Sequence, residues 1–337
     1  MVPPTPGLYG PGKSPFQVSH MDRRALLTRL LAAPLLPLAL SGCQPDRRLS
    51  LGIHPWPGYE PLYLAREFGW LPASVRLQEG RNASDSLEGL RRGALDGAAL
   101  TLDEVLSARA DGVPLTVCLV FNDSVGADAL LVRPGIGSLA ELAGRRLAVE
   151  RTAVGRLVLA KVFAASGLAP SDVTLVDLPP DRQLTAWRSG GIDAAISYEP
   201  TATRLEREGA VRLFDSRHFP GLILDVLALR RDRLLWYDAA IDKLIAAHFR
   251  GLAHLRHSRE DALHRIAAWR DLSFAEAKAT YAGMALPDRA GNRRYFGPQG
   301  KLRETARTLQ ALLGTPGDRL STDRLDDLAS DHYLGDA

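Results

Sequence analysis

From Leu49 to about Arg230 the chain alternates short apolar runs with longer amphipathic stretches. The short runs are Leu49–Ile53, Val75–Gln78, Gly97–Leu100, Leu115–Phe121, Ala129–Val132, Arg146–Val149, Val173–Val176, Ala194–Ser197, Val211–Phe214 and Val226–Leu229. Short apolar runs of this kind read as strands. Between them Pro61–Phe68, Ser84–Arg92, Val154–Ala165 and Arg182–Arg188 carry helical periodicity. Strand–helix–strand alternation at this spacing predicts an α/β fold of parallel sheets covered by helices. After residue 231 the strands stop. Residues 238–258, 260–270, 273–283 and 299–313 read as helices, so the C-terminus is expected to be an all-helical block.

One pattern occurs twice. Arg91-Arg92-Gly93-Ala94-Leu95-Asp96-Gly97-Ala98 and Arg188-Ser189-Gly190-Gly191-Ile192-Asp193-Ala194-Ala195 share R-x-G-x-x-D-x-A. Each follows an amphipathic helix and leads into a strand. The Gly suits a left-handed helix end, and the Asp a strand turn. The echo points to two similar lobes, before and after about residue 133.

The N-terminus has a different pattern. Residues 1–20 are rich in Pro and Gly, without apolar periodicity. From Met21, a basic segment with Arg23, Arg24 and Arg29 leads into eleven apolar residues, Leu30 to Leu40, then Leu40-Ser41-Gly42-Cys43. That stretch is too short to span a bilayer but suits the hydrophobic region of a signal peptide. Small residues followed by Cys resemble the bacterial lipobox. The expectation is an upstream extension at 1–20, a lipoprotein signal peptide at 21–42, an acylated Cys43 and a tether over 43–48. The other cysteine, Cys118, falls inside an apolar run and reads as a lone core thiol.

Composition narrows the function classes. The 337 residues are 46% hydrophobic and 24% charged, which is ordinary for a globular chain of two domains. Residues 1–42 carry four basic side chains and one acid, so the remaining 38 basic and 38 acidic residues of the total 42 and 39 cancel. A neutral body argues against nucleic acid as a partner. There is no Walker A motif, no G-x-S-x-G and no H-E-x-x-H. His248, His254, His257 and His264 lie at helical spacings, but Arg-rich flanks and the lack of an evident acidic or Cys partner argue against a metal site.

Four segments then bring a family into view. His54-Pro55-Trp56-Pro57-Gly58-Tyr59-Glu60-Pro61 directly follows the first strand. Leu87 to Asp96, Ser138 to Val149 and Gly190-Gly191-Ile192-Asp193-Ala194-Ala195-Ile196-Ser197-Tyr198-Glu199-Pro200 follow in order. Together they resemble substrate-binding proteins of ABC importers, of the nitrate/sulfonate/taurine type and the related group that binds thiamine pyrimidine precursors. The likeness covers about residues 49–230. It implies a two-lobed periplasmic-binding-protein fold (type II) with two crossover strands and the helical block packed on lobe one. Lobe one would comprise 49–131 plus 226–337, and lobe two 134–221, with crossings near Leu131–Arg133 and Gly221–Val226. It also implies a monomer outside the cytoplasm, working with ABC permease subunits and needing no cofactor.

Ligands of open α/β sheets sit beyond the carboxyl ends of the strands. His54, Trp56 and Tyr59 follow the first strand and Thr101 the third. Asn122, Asp123 and Ser124 follow the fourth, with Asp128 just beyond. In the second half come Glu150, Arg151, Thr152 and Ala153, then Ser197, Tyr198 and Glu199, and finally Asp225. Trp56, Tyr59 and Tyr198 would supply an aromatic box. Thr152 and Ala153 open a helix whose free N–H groups favour an anion. Against that stand five acids, Asp123, Asp128, Glu150, Glu199 and Asp225, with only Arg151 and His54 nearby. Unpaired carboxylates in a desolvated cleft are costly unless the ligand is positive. The expected ligand is therefore cationic, zwitterionic or N-heterocyclic. A sensory receptor with the same cleft, or an enzyme on the same fold, remains an alternative.

Overall fold

The computed structural model describes residues 48–297, 300–315, 317 and 319–335. The expected extension at 1–20, the signal segment at 21–42, Cys43 and most of the tether lie outside the described residues.

Eleven strands form two sheets among the described residues. They are β1 (Leu49–Ile53), β2 (Val75–Glu79), β3 (Gly97–Thr101), β4 (Leu115–Ser124), β5 (Asp128–Val132), β6 (Arg146–Val149), β7 (Thr174–Asp177), β8 (Ala194–Tyr198), β9 (Val211–Asp215), β10 (Leu224–Arg230) and β11 (Met284–Ala285). The first sheet has the order β11-β4-β10-β3-β1-β2 and the second β7-β6-β8-β5-β9. Helices α1 (Glu60–Glu67), α2 (Ala83–Arg91) and α3 (Leu102–Ala110) connect strands of the first sheet. Helices α4 (Ala153–Ser166), α5 (Pro180–Arg188) and α6 (Thr201–Arg207) do so in the second. The C-terminal block holds α7 (Leu234–His257), α8 (Arg259–Arg270), α9 (Phe274–Thr280), α10 (Arg289–Phe296) and α11 (Lys301–Leu313). Helix α7 packs on α1 so closely that a Cβ on Gly251 would lie 2.0 Å from the Pro61 carbonyl.

The sheets are mixed, which corrects the expectation of all-parallel pairing. β10 runs antiparallel to β3 and β4, and β5 antiparallel to β8 and β9. The cause is the crossing itself. A strand arriving from the other lobe enters its sheet at the cleft edge, where the resident parallel strands end. Its direction is therefore reversed.

The first crossing also falls earlier than expected. β5 pairs within the second sheet, so the chain crosses at Val125–Ala127 rather than at Leu131–Arg133. The return lies between Asp215 and Leu224. The two crossings touch: the Ser124 and Ser216 hydroxyls are 2.9 Å apart, and the Gly126 N–H donates to Ser216 Oγ at 2.6 Å. Gly126 has φ +119°, open to glycine and disfavoured for other residues.

The repeated R-x-G-x-x-D-x-A pattern is a structural device in both lobes. Gly93 and Gly190 end α2 and α5 at φ +70° and +71°. Asp96 then accepts from the Ser50 N–H at 2.9 Å, and Asp193 from the Arg146 N–H at 2.9 Å. Each carboxylate thus clamps the start of a strand at the same place in its lobe, β1 in the first and β6 in the second. Cys118 is fully buried in β4, and burial pushes its thiol up to about 12. Among the described residues no helix is long and apolar enough to cross a membrane.

Candidate functional site

The carboxyl ends of β1, β3, β4, β6 and β8 and the starts of β5 and β10 meet between the lobes. The register fixes who faces whom: Asp225 pairs with Thr101 and Asn122, and Asp128 with Tyr198. The lobes are closed on each other. Ser84 Oγ donates across the cleft to Glu150 Oε1 at 2.7 Å, and Asn82 Nδ2 to Asp181 Oδ1 at 2.9 Å. Between them lies a cavity of only about 20 Å³, lined by His54, Trp56, Tyr59, Thr101, Glu104, Asp128, Val154, Tyr198 and Asp225 among others. That is room for about one water, so a ligand can enter only when the lobes part.

The lobe-one wall is a chain of hydrogen bonds. Trp56 Nε1 donates to Asn122 Oδ1 at 2.9 Å, and Asn122 Nδ2 to Asp225 Oδ2 at 2.8 Å. The Tyr59 hydroxyl donates to Asp225 Oδ1 at 2.7 Å. Gly58 makes this possible, since a Cβ there would lie 1.8 Å from Asn122 Oδ1. From lobe two, Tyr198 closes over the wall with its ring edge-on to Trp56 at 5.8 Å. His54, Trp56, Tyr59 and Tyr198 thus make an aromatic box.

The electrostatics of the space are one-sided. Burial raises the carboxyls of Glu104 and Asp225 well above their ordinary range, pushes Asp128 up to about 7, and raises Glu150. Burial also pushes His54 down to about 4, so it is neutral at pH 7. No Arg or Lys lines the space. Arg151 turns outward to Asp177 at 3.3 Å. Buried polar atoms without a hydrogen-bond partner gather here: His54 Nδ1, Glu104 Oε1, Asp128 Oδ2, Glu150 Oε2, Ser197 Oγ and the Tyr198 hydroxyl. Such a concentration is uncommon in a folded interior.

Of the residues named from sequence, Trp56, Tyr59, Thr101, Asp128, Tyr198 and Asp225 line the main space. Glu150 and Thr152 line its continuation at the start of α4, together with Asp128 and Tyr198. Thr152 caps that helix by accepting from the Gly155 N–H at 3.3 Å, and Ala153 is buried in its first turn. Three expectations are corrected. Asp123 turns away from the cleft to Lys301 at 3.0 Å. Glu199 is held by Arg212 at 3.0 Å and accepts from the Thr203 N–H at 3.0 Å. Ser124 serves the crossing. Glu104 was missed, although Thr101-x-x-Glu104 after a strand has the form of a helix-capping box; Glu104 Oε2 does accept from the Thr101 N–H at 3.0 Å.

Two α/β lobes, two crossings and a cleft between strand ends define the periplasmic-binding-protein fold. Residues 56–256 match the family model described as NMT1/THI5 like, and the chain belongs to that family. It is 28% identical over 171 residues to the taurine-binding periplasmic protein of Escherichia coli strain K12, covering 50% of this chain and 52% of that one. The chain thus spans about half the length of this relative. The alkanesulfonate-binding protein SsuA from Xanthomonas axonopodis pv. citri, solved bound to MOPS, shares the fold at TM-score 0.66 and 19% identity, over 79% of this chain and 90% of that chain. The desulfurization enzyme DSZB matches at TM-score 0.59 and 17% identity, over 85% of this chain and 98% of that chain. The fold therefore hosts both binding and catalysis, and function must be argued from the site.

Proposed function

We propose that this chain is an extracytoplasmic solute-binding lipoprotein, anchored through Cys43. In this reading it captures a small cationic, zwitterionic or N-heterocyclic compound between its lobes and delivers it to an ABC permease. One observation carries the ligand class: Glu104, Asp128, Glu150 and Asp225 surround the cleft, no Arg or Lys lines it, and burial keeps His54 neutral. Desolvated carboxylates without a counter-charge either protonate or await a cation. An amine, amidine or protonated ring nitrogen would pair with them while the aromatic box holds its apolar part. The start of α4 could take an acid group at the other end of a zwitterion. A bare oxyanion would meet the acids with no cation to hold it.

Thermal shift of the purified protein tests the reading. The library holds amines, aminopyrimidines, amino acids, amino-sulfonates, plain sulfonates and nitrate. A ligand at 100 times its Kd adds about 2.7 kcal/mol of stability. The reading expects shifts from compounds bearing a positive or ring nitrogen, lost in Asp225→Asn. Shifts from plain sulfonates or nitrate alone would replace it with an oxyanion receptor anchored at Thr152. Loss of uptake of the same compound on deleting the gene tests delivery to a permease.

A further inference from the structure

Leu235 and Trp236 are 92% and 73% exposed, and no other large apolar side chain among the described residues is more than half exposed. They occupy the first turn of α7, while their neighbours Leu234 and Tyr237 pack inward against the core. Their location says what covers them. Asp96 ties the start of β1 to the start of α7: it accepts from the Ser50 N–H at 2.9 Å and from Arg233 Nη1 at 2.6 Å. Trp236 follows Arg233 by three residues, about one helical turn. The chain that leads back to Cys43 therefore leaves lobe one at the edge that carries Leu235 and Trp236. Five residue steps separate Cys43 from Arg48. Fully extended, they reach about 18 Å at most.

We propose that Leu235 and Trp236 form a wedge that seats in the headgroup region of the bilayer beside the lipid anchor. The inference rests on the Cys43 anchor in the function proposed above. Trp favours the membrane–water interface, because its ring is apolar and its N–H remains wet. Leu235 adds apolar area at the same depth. Arg231, a few residues before the pair and half-exposed, is itself held by Asp327, so the apolar pair carries the insertion. The two acids of this turn are engaged, Asp232 by Arg230 at 3.2 Å and Asp238 by His332 at 3.5 Å. A Leu–Trp pair alone is too small to hold a protein on a membrane. The tether makes its insertion intramolecular, which raises its effective concentration. The consequence is an oriented receptor, with the start of α7 toward the lipid.

The test uses the full acylated protein in vesicles of phosphatidylethanolamine and phosphatidylglycerol, with and without brominated acyl chains that quench nearby tryptophan. The expected result is partial quenching of emission that W236F abolishes, with the urea midpoint of W236F unchanged. Acylated, vesicle-bound protein without W236F-sensitive quenching overturns this inference and leaves the anchor standing. Protein that carries no lipid on Cys43 and stays soluble overturns both. A photo-crosslinker at position 236 that captures a permease subunit in intact cells, and not lipid, also overturns it.

Discussion

Replacing Asp128 by Asn probes the acid cluster with the smallest change of shape. Asp128 is 5% exposed, and its Oδ2 has no hydrogen-bond partner. Burial raises its carboxyl from an ordinary 3.8 to about 7; Asp103 and Glu199 push the same way, and Arg212 opposes. Between these two values the folded protein holds a proton that the unfolded chain has released. Wild-type stability must then fall as pH rises through that window and level off above it. Each pH unit is about 1.4 kcal/mol, so an interval of about three units sets a ceiling near 4 kcal/mol. Asn carries no charge and can still accept a hydrogen bond from Ser124. D128N should therefore stabilise the ligand-free protein at pH 8 by up to about 4 kcal/mol, less at pH 5, and almost nothing below pH 4. Urea denaturation of both proteins across this range reads the difference directly. A variant less stable than wild type at pH 8, or a difference that does not change with pH, would refute the argument that Asp128 is a buried charge awaiting a partner.

Other substitutions test the supports of the cleft. Asn122→Ala strips Trp56 Nε1 of its acceptor and Asp225 of a donor. Each unpaired buried group costs about 1–3 kcal/mol, so the urea midpoint should drop clearly; an unchanged midpoint would show that this wall is dispensable. Arg270→Met leaves Glu60, 1% exposed, without its guanidinium partner at 2.6 Å. The expected loss is about 3–5 kcal/mol at pH 8, shrinking as the pH falls and Glu60 takes up a proton. A loss equal at pH 8 and pH 5 would contradict that cause. Affinity for an amine should rise with pH up to about 7, as Asp128 ionises, with proton release measurable by calorimetry in two buffers. A flat profile between pH 5.5 and 8 would exclude Asp128 from contact with the amine.

What the sequence reveals here depends on locality. β1, β3, β6 and β8 are short apolar runs set off by Gly, Pro and Asp, and their positions follow from pattern alone. α3 escapes such a reading because Leu102 follows Thr101 without a loop, so strand and helix merge into one apolar stretch. β11 is two residues long and exists only by pairing with β4. The reversed direction of β5 and β10 is a property of the crossings and leaves no local mark. The site divides the same way. Aromatics and acids after strand ends are visible in sequence, but their neutralisation is not. Arg212 lies 13 positions from Glu199 and Lys301 lies 178 from Asp123, so only the fold distinguishes acids with a cationic partner from Asp128 and Glu104.

The central claim is that the cleft demands a positive group. Isothermal titration of the purified protein at pH 8 with matched pairs tests it most directly: 2-aminoethanesulfonate against ethanesulfonate, and an aminopyrimidine against the ring without its amino group. The account predicts heat and saturation from at least one nitrogen-bearing member, with its counterpart silent and D225N abolishing the signal. Ethanesulfonate or nitrate binding as tightly as any amine, undisturbed by D225N, would contradict it.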